Sequence, residues 1–356
     1  VRSCYLFARS VADPGDARLA RLLDTAATAG LDTVITKAEA VTPALATAVH
    51  RRGLRLLGSV ACFRGPDGPV PVGDDGLPWR RMEWYDGVRP NDPDWNAALA
   101  ARCAGLARTP GIDGLVLDFL RWPLHWELEL RPGARPRSAS YDDATLTQFA
   151  AHSGLHLTVS GAQAARLIAH EHAAAWTRYR THTVTAVTHD ICEAVHAARP
   201  GLWLGAFLVP ADSEEERRRL VGQDGTGLGA LLDGLLPMTY HAILHRTPAW
   251  VADVTRELAR ASAAPVTPMV QSSTDAAALS GGDADWGKPF GAEEFTAALR
   301  HALHAGQGRL CLFPGEGLGP THWSAVRTEL DAWSPAQSTA TQPAAGRRPT
   351  EETERA

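Results

Sequence analysis

Eight short apolar runs rich in β-branched residues recur along the chain, at residues 4–8, 33–37, 55–63, 114–118, 202–209, 234–240, 266–271 and 309–313, and each is followed by a segment with a helical repeat. Parallel strands need a crossover long enough to hold a helix, so this alternation builds βα units around a parallel sheet. Eight such units are the number that closes the sheet into a barrel. The reading is therefore α/β: one (β/α)8 TIM barrel over residues 1–333, with long loops after strands 3 and 4. A barrel of about 250 residues plus insertions fits the 356 residues as one domain.

The intervening segments carry the expected periodicity. Over 17–29, Leu19, Leu22, Leu23 and Ala26 share one face and Gly30 is a stop signal. Similar patterns run over 93–107, 176–198, 249–261, 292–305 and 322–333, and Ala198-Arg199-Pro200-Gly201 marks a break before the next strand. The connections at 64–91 and from 124 to about 173 are too long for bare loops. Both follow strand C-termini, where barrels of this kind build their sites. Gly225-x-Gly227-x-Gly229 has no strand leading into it and reads as a loop, not a dinucleotide cradle. From 334 to 356 polar and charged residues replace the apolar period, and a disordered C-terminal tail is expected.

Net charge is −5 with arginines scattered among acids, which excludes a nucleic-acid footprint. No run approaches the roughly 18 apolar residues of a membrane span, and no charged-then-apolar leader precedes the first strand. A soluble, cytoplasmic protein is expected, with export left open by the initial Val1. Five cysteines form no CxxC pair, and Cys4, Cys62 and Cys311 sit in strand-like runs, so buried free thiols are expected in place of disulfides or zinc. His170-x-His172 precedes a helix with Glu171 as its only nearby acid, and neither it nor the His241 and His245 spacing makes a metal site. No cofactor is expected, and oligomeric state is not legible.

The sharpest local feature runs from Ile112 to Pro123: an apolar strand ends on Asp118, followed by Arg121, Trp122 and a proline that stops it. An ionised carboxylate in an apolar mouth is costly unless paired, so Asp118 and Arg121 are expected to share an ion pair or contact a ligand.

Asp113-Gly-Leu-Val-Leu-Asp-Phe-Leu-Arg-Trp-Pro123 resembles the "DG-x-x-LD-[YF]-[IVL]-R-[YFW]-P" signature of the hypothetical glycosyl hydrolase barrels, a superfamily related to the family-10-like domain. The likeness extends to Arg89-Pro-Asn-Asp-Pro-Asp-Trp95, to 141–154, to Trp176-Thr-Arg-Tyr-Arg180, to Arg199-Pro-Gly-Leu-Trp-Leu-Gly-Ala206 and to Pro237-Met-Thr-Tyr240, covering most of 79–240. Chitinase-type barrels are more distantly similar. They carry a general-acid Glu two positions after the motif's last Asp, where this chain has Leu120.

What the resemblance implies is a glycosidase acting through two carboxyl groups that flank the scissile bond. Asp118 is the first candidate, as nucleophile or base, and Glu39, Asp212 and Glu316, at the ends of strands two, five and eight, are candidates for the second. Lys37 stands close enough in sequence to Glu39 for one of the two to pair with Asp118 across the mouth. Arg121, Trp122, Tyr240, His241 and Gln271 are candidate substrate contacts. Gln271 stands where cellulase-like barrels place a catalytic Glu, and it cannot serve as a nucleophile. Of 11 Trp residues, Trp79, Trp84, Trp122, Trp126 and Trp286 fall in loops on the catalytic face, with Trp84 and Trp286 the expected platforms for a sugar ring. The partner is thus a carbohydrate. Alternatives are a carbohydrate-binding barrel without catalysis and a metal-dependent hydrolase or deacetylase on the same scaffold.

Overall fold

The computed structural model describes residues 1–82, 84–275 and 286–333, so the expectation for the tail at 334–356 lies outside the described residues. Eight strands form one parallel sheet: β1 (Arg2–Tyr5), β2 (Thr33–Lys37), β3 (Arg55–Ala61), β4 (Gly114–Asp118), β5 (Trp203–Leu208), β6 (Gly234–Pro237), β7 (Met269–Gln271) and β8 (Leu310–Phe313). Their order is β6-β5-β4-β3-β2-β1-β8-β7. A bridge between Leu235 and Val266 closes the remaining seam, with Thr267 N–H donating to Leu235 O at 2.8 Å. The result is a single-domain (β/α)8 barrel.

Helices α1 (Ala17–Thr28), α2 (Pro43–His50) and α3 (Pro93–Ala107) follow the first three strands. Helices α4 (Trp126–Glu129), α5 (Asp143–Ser153), α6 (Gly161–Glu171) and α7 (Ala173–Ala198) follow β4, and α8 (Glu214–Val221) and α9 (Gly225–Leu231) follow β5. Helices α10 (Trp250–Ala261), α11 (Ala292–Ala305) and α12 (Pro320–Ala332) complete the ring. Side-chain caps start several of them: Asp16 accepts from Arg18 N–H, Asp92 from Trp95 N–H and Ser213 from Glu216 N–H.

Strand alternation divides the core. Tyr5, Ile35, Leu57, Val116, Phe207, Leu236, Met269 and Cys311 pack inside the barrel, whereas Cys4, Val34, Leu56, Leu115, Leu204, Leu235, Val270 and Leu312 face the helices. The period of two then carries Lys37, Asp118, Phe207 and Phe313 into the C-terminal mouth.

Several expectations need correction: β3 ends at Ala61, β6 ends at Pro237 and β7 begins at Met269, short of the expected limits at 63, 240 and 266. Strand β1 ends at Tyr5, not near residue 8, because the chain after Leu6 turns across the mouth into a short 3-10 turn at Ala8–Ser10. The Gly225-x-Gly227-x-Gly229 segment is helix α9 rather than a loop: Asp224 caps it by accepting from Thr226 and Gly227 N–H, and a Cβ on Gly229 would lie 2.2 Å from the Ser262 hydroxyl, so glycine permits close packing. All five cysteines are free and buried. No helix among the described residues is long and apolar enough to cross a membrane.

Candidate active site

A cavity of about 360 Å³ opens at the C-terminal end of the barrel. Its wall is largely aromatic, with Tyr5, Phe7, Trp84, Phe119, Trp126, Phe207, Tyr240, Trp286 and Phe313. Tyr240 stacks on Phe313 with centroids 4.8 Å apart, and Trp126 leans on Tyr240 at 5.7 Å. Flat apolar faces with polar edges suit the alternating apolar and hydroxyl faces of a sugar.

Among the described residues, two carboxylates line this cavity, Asp118 and Glu127. Asp118 is the last residue of β4 and is only partly exposed where it lines the cavity. Its Oδ1 accepts from Phe119 N–H at 2.8 Å. Burial pushes its pKa up to about 6, against the opposing pull of that hydrogen bond and of Arg121, Arg64 and Lys37. Phe119 adopts φ of +52°, a left-handed conformation uncommon for a bulky residue. That turn lays its ring flat against Tyr85, with centroids 5.1 Å apart and planes 8° from parallel.

Glu127 was not singled out from sequence. It lies on the single turn α4 and is buried, and burial raises its pKa against the pull of Arg121. Arg121 holds this turn in place. Its Nη1 donates to Leu124 O at 2.8 Å and Trp122 O at 3.4 Å, and its guanidinium lies 4.5 Å from the Tyr85 ring centroid. The expected ion pair with Asp118 is not formed, because the guanidinium is committed to these carbonyls. Arg121 acts on both carboxylates through its field. The Trp-Glu-Leu-Glu run of α4 was the available signal for Glu127, but nothing in it distinguishes Glu127 from Glu129. Glu129 turns away, 3.6 Å from His125 Nδ1 and accepting from Arg137 N–H at 3.2 Å.

Among the residues singled out from sequence, the fold gathers Asp118, Arg121, Lys37, Tyr240, Trp84 and Trp286 around the cavity, together with Trp126. It places the three other carboxylates outside the lining. Glu316 reaches back to the β1 end, where its Oε1 accepts from Phe7 N–H at 2.8 Å. Glu39 is exposed on the 3-10 turn after β2. Asp212 lines a separate cavity and binds Arg246 Nη2 at 2.9 Å and Trp250 Nε1 at 2.6 Å.

The remaining candidates also sit behind the wall. Trp122 is fully buried, donates to Arg180 O at 3.0 Å and packs on Trp176 and Tyr179. His241 is buried 3.2 Å from Glu294, and burial lowers its pKa despite that partner. Gln271 accepts from Ile243 N–H at 3.1 Å and donates to Trp286 O and Ser273 O at 3.0 Å, so it braces the Trp286 backbone. Trp79 is buried and stacks on His125 at 5.0 Å.

No family model matches the chain, and no curated protein matches it. Solved structures do match. The glycoside hydrolase domain of PgaB (BpsB) from Bordetella bronchiseptica superposes with a TM-score of 0.68 at 15% identity, covering 94% of this chain and 99% of that one. A β-galactosidase from the psychrophilic Marinomonas ef1 gives 0.65 at 9% identity, with 93% of this chain aligned to 59% of the longer enzyme. The catalytic domain of β-amylase from Paenibacillus polymyxa gives 0.58 at 13% identity, covering 92% of this chain and 97% of that one. At such identities the likeness is one of fold, and the chain has a TIM barrel of the kind found in these glycoside hydrolases.

Proposed function

We propose that the protein is a glycoside hydrolase of the kind its strand-four signature resembles, using Asp118 and Glu127 on an oligo- or polysaccharide. The observation that carries this reading is that a partly buried Asp118 and a buried Glu127 share one aromatic cavity at the C-terminal mouth of the barrel. Burial raises the pKa of both carboxyls, and Glu127, carried on the insertion turn α4, is assigned as the general acid that protonates the glycosidic oxygen. Asp118 either attacks the anomeric carbon or takes a proton from the attacking water, the choice depending on the separation of the two carboxyl groups. The aromatic wall binds the sugar face, and Arg121 fixes the loop that carries the acid.

The test is hydrolysis of a panel of oligosaccharides and aryl glycosides by wild type, Asp118→Asn and Glu127→Gln. Each substitution is expected to lower kcat at least about 100-fold with the fold intact, in line with the weight of a single acid or base. Glu127→Gln should spare aryl glycosides with good leaving groups, which need no protonation. Sugar binding by all three proteins without turnover by any would favour the non-catalytic carbohydrate-binding barrel instead.

A further inference from the structure

Among the described residues, four cationic side chains line the cavity together with Asp118 and Glu127: Arg9, Lys37, Arg64 and Arg121. Two of the four are otherwise engaged. Arg121 is held by backbone carbonyls, and the Arg9 guanidinium lies 4.6 Å from the Phe7 ring centroid. Lys37 and Arg64 differ from them. Among the described residues neither makes a hydrogen bond or ion pair to a protein group, and the Arg64 Nε is buried without an acceptor. The Arg64 guanidinium rests 5.7 Å from the Phe119 ring centroid, and Lys37 ends β2, two strands from Asp118.

The half-buried Arg64 guanidinium, whose Nε is shielded from water and meets no protein acceptor, gains from a ligand that supplies one, and the exposed Lys37 ammonium is free to reach the same group. A neutral sugar offers hydroxyl groups that either sign of charge would accept. An acidic sugar offers two or three oxygens that match a guanidinium fork and an ammonium.

We infer that the substrate of this cavity is a glycan bearing an acidic substituent, a carboxylate or a sulfate, which Lys37 and Arg64 hold beside Asp118. The inference rests on the glycosidase reading only in placing this group on a substrate to be cleaved. Lys37 and Arg64 are then specificity residues and take no part in bond cleavage.

Binding is measured with Asp118→Asn protein, which is expected to turn over at least about 100-fold more slowly and has lost one competing negative charge. The probes are hexuronate oligosaccharides, sulfated oligosaccharides and neutral oligosaccharides of matched length, titrated at low and at high salt. Acidic oligosaccharides are expected to bind at least about tenfold more tightly than neutral ones, with the advantage shrinking as salt rises. Adding Lys37→Gln or Arg64→Gln should remove most of that advantage and leave neutral binding unchanged. Lys37 is exposed, so its substitution preserves the thermal midpoint and carries the test even where Arg64→Gln unfolds.

Tight binding of the hexuronates alone identifies the acid as a carboxylate, and of the sulfated probes alone as a sulfate, and either supports the inference. Neutral probes binding as well as acidic ones, acidic binding that ignores both substitutions, or no binding at all overturns it. Acidic glycans that bind through Lys37 and Arg64 but are left uncut by wild type support the recognition and sink the hydrolase reading alone.

Discussion

Asp118 shows most directly how position sets chemistry. An ordinary aspartate titrates near 3.8, and this one is pushed up to about 6 by burial in the cavity wall. If it must be ionised to act, activity rises with pH through about 6, and that acid limb disappears from the residual activity of Asp118→Asn. The same shift has a stability consequence of definite sign. Below about pH 4 the carboxyl is protonated in both folded and unfolded chains, between about 4 and 6 only the folded chain keeps the proton, and stability falls as pH rises across that window. Asp118→Asn should therefore be more stable than wild type at pH 7, by about 2 kcal/mol after allowing for water in the cavity, and the gain should vanish near pH 4 in urea titrations. A substitution that stabilises the fold while removing activity would mark Asp118 as a residue kept for chemistry.

The elements explain how the barrel holds this wall steady. Trp203 begins β5 and packs with the inner core, beside three glycines on neighbouring positions. A Cβ on Gly205 would fall 2.4 Å from the Trp203 ring, one on Gly234 2.7 Å from it, and one on Gly114 2.7 Å from the Trp203 carbonyl oxygen. One large side chain thus replaces several small ones in a layer of the barrel interior. Gly205→Ala should cost about 1–3 kcal/mol by overpacking, read from the midpoint of denaturant unfolding, and Trp203→Phe should relieve part of it. On the outer side, buried Arg180 of α7 donates to the carbonyls of Arg219 and Leu220 at 2.8 Å, tying the long helix after β4 to the end of α8. The "W-x-x-[WYF]-R" likeness at 176–180 falls on this clamp, and the Trp122 indole donates to the Arg180 carbonyl. Part of the family-like signature therefore maintains the scaffold.

At the scale of the molecule, the two core layers bury every thiol: Cys4, Cys62, Cys103, Cys192 and Cys311. Burial raises the pKa of each, to about 12 for Cys103 and Cys311. A thiol reagent added to native protein at pH 8 should label none of the five on a timescale of minutes, and all of them in denaturant, read by mass spectrometry. Rapid labelling of one in the native state would mean that its helix or strand opens locally.

The barrel was legible because its signals are local. A strand of period two, a crossover helix of period 3.6 and a break between them are each written within about 15 residues. Eight repetitions leave one closed solution, and the strands at 33–37 and 114–118 fall where the pattern places them. Asp118 was legible for the same reason, since the last inward position of a strand is a matter of parity and a following proline. The second carboxylate that lines its cavity was not. Glu39, Asp212 and Glu316 stand near strand ends in sequence as Asp118 does, but the fold turns Glu39 outward, gives Asp212 to Arg246 and Trp250, and draws Glu316 to the Phe7 N–H. Glu127 reaches the cavity from an insertion, braced by a guanidinium that bonds to carbonyls. Sequence alone determined the strands, their parity and the carboxylate at the end of the fourth. Which second carboxylate meets it was decided by tertiary structure, because that depends on loop packing over long distances, for which no residue spacing is a code.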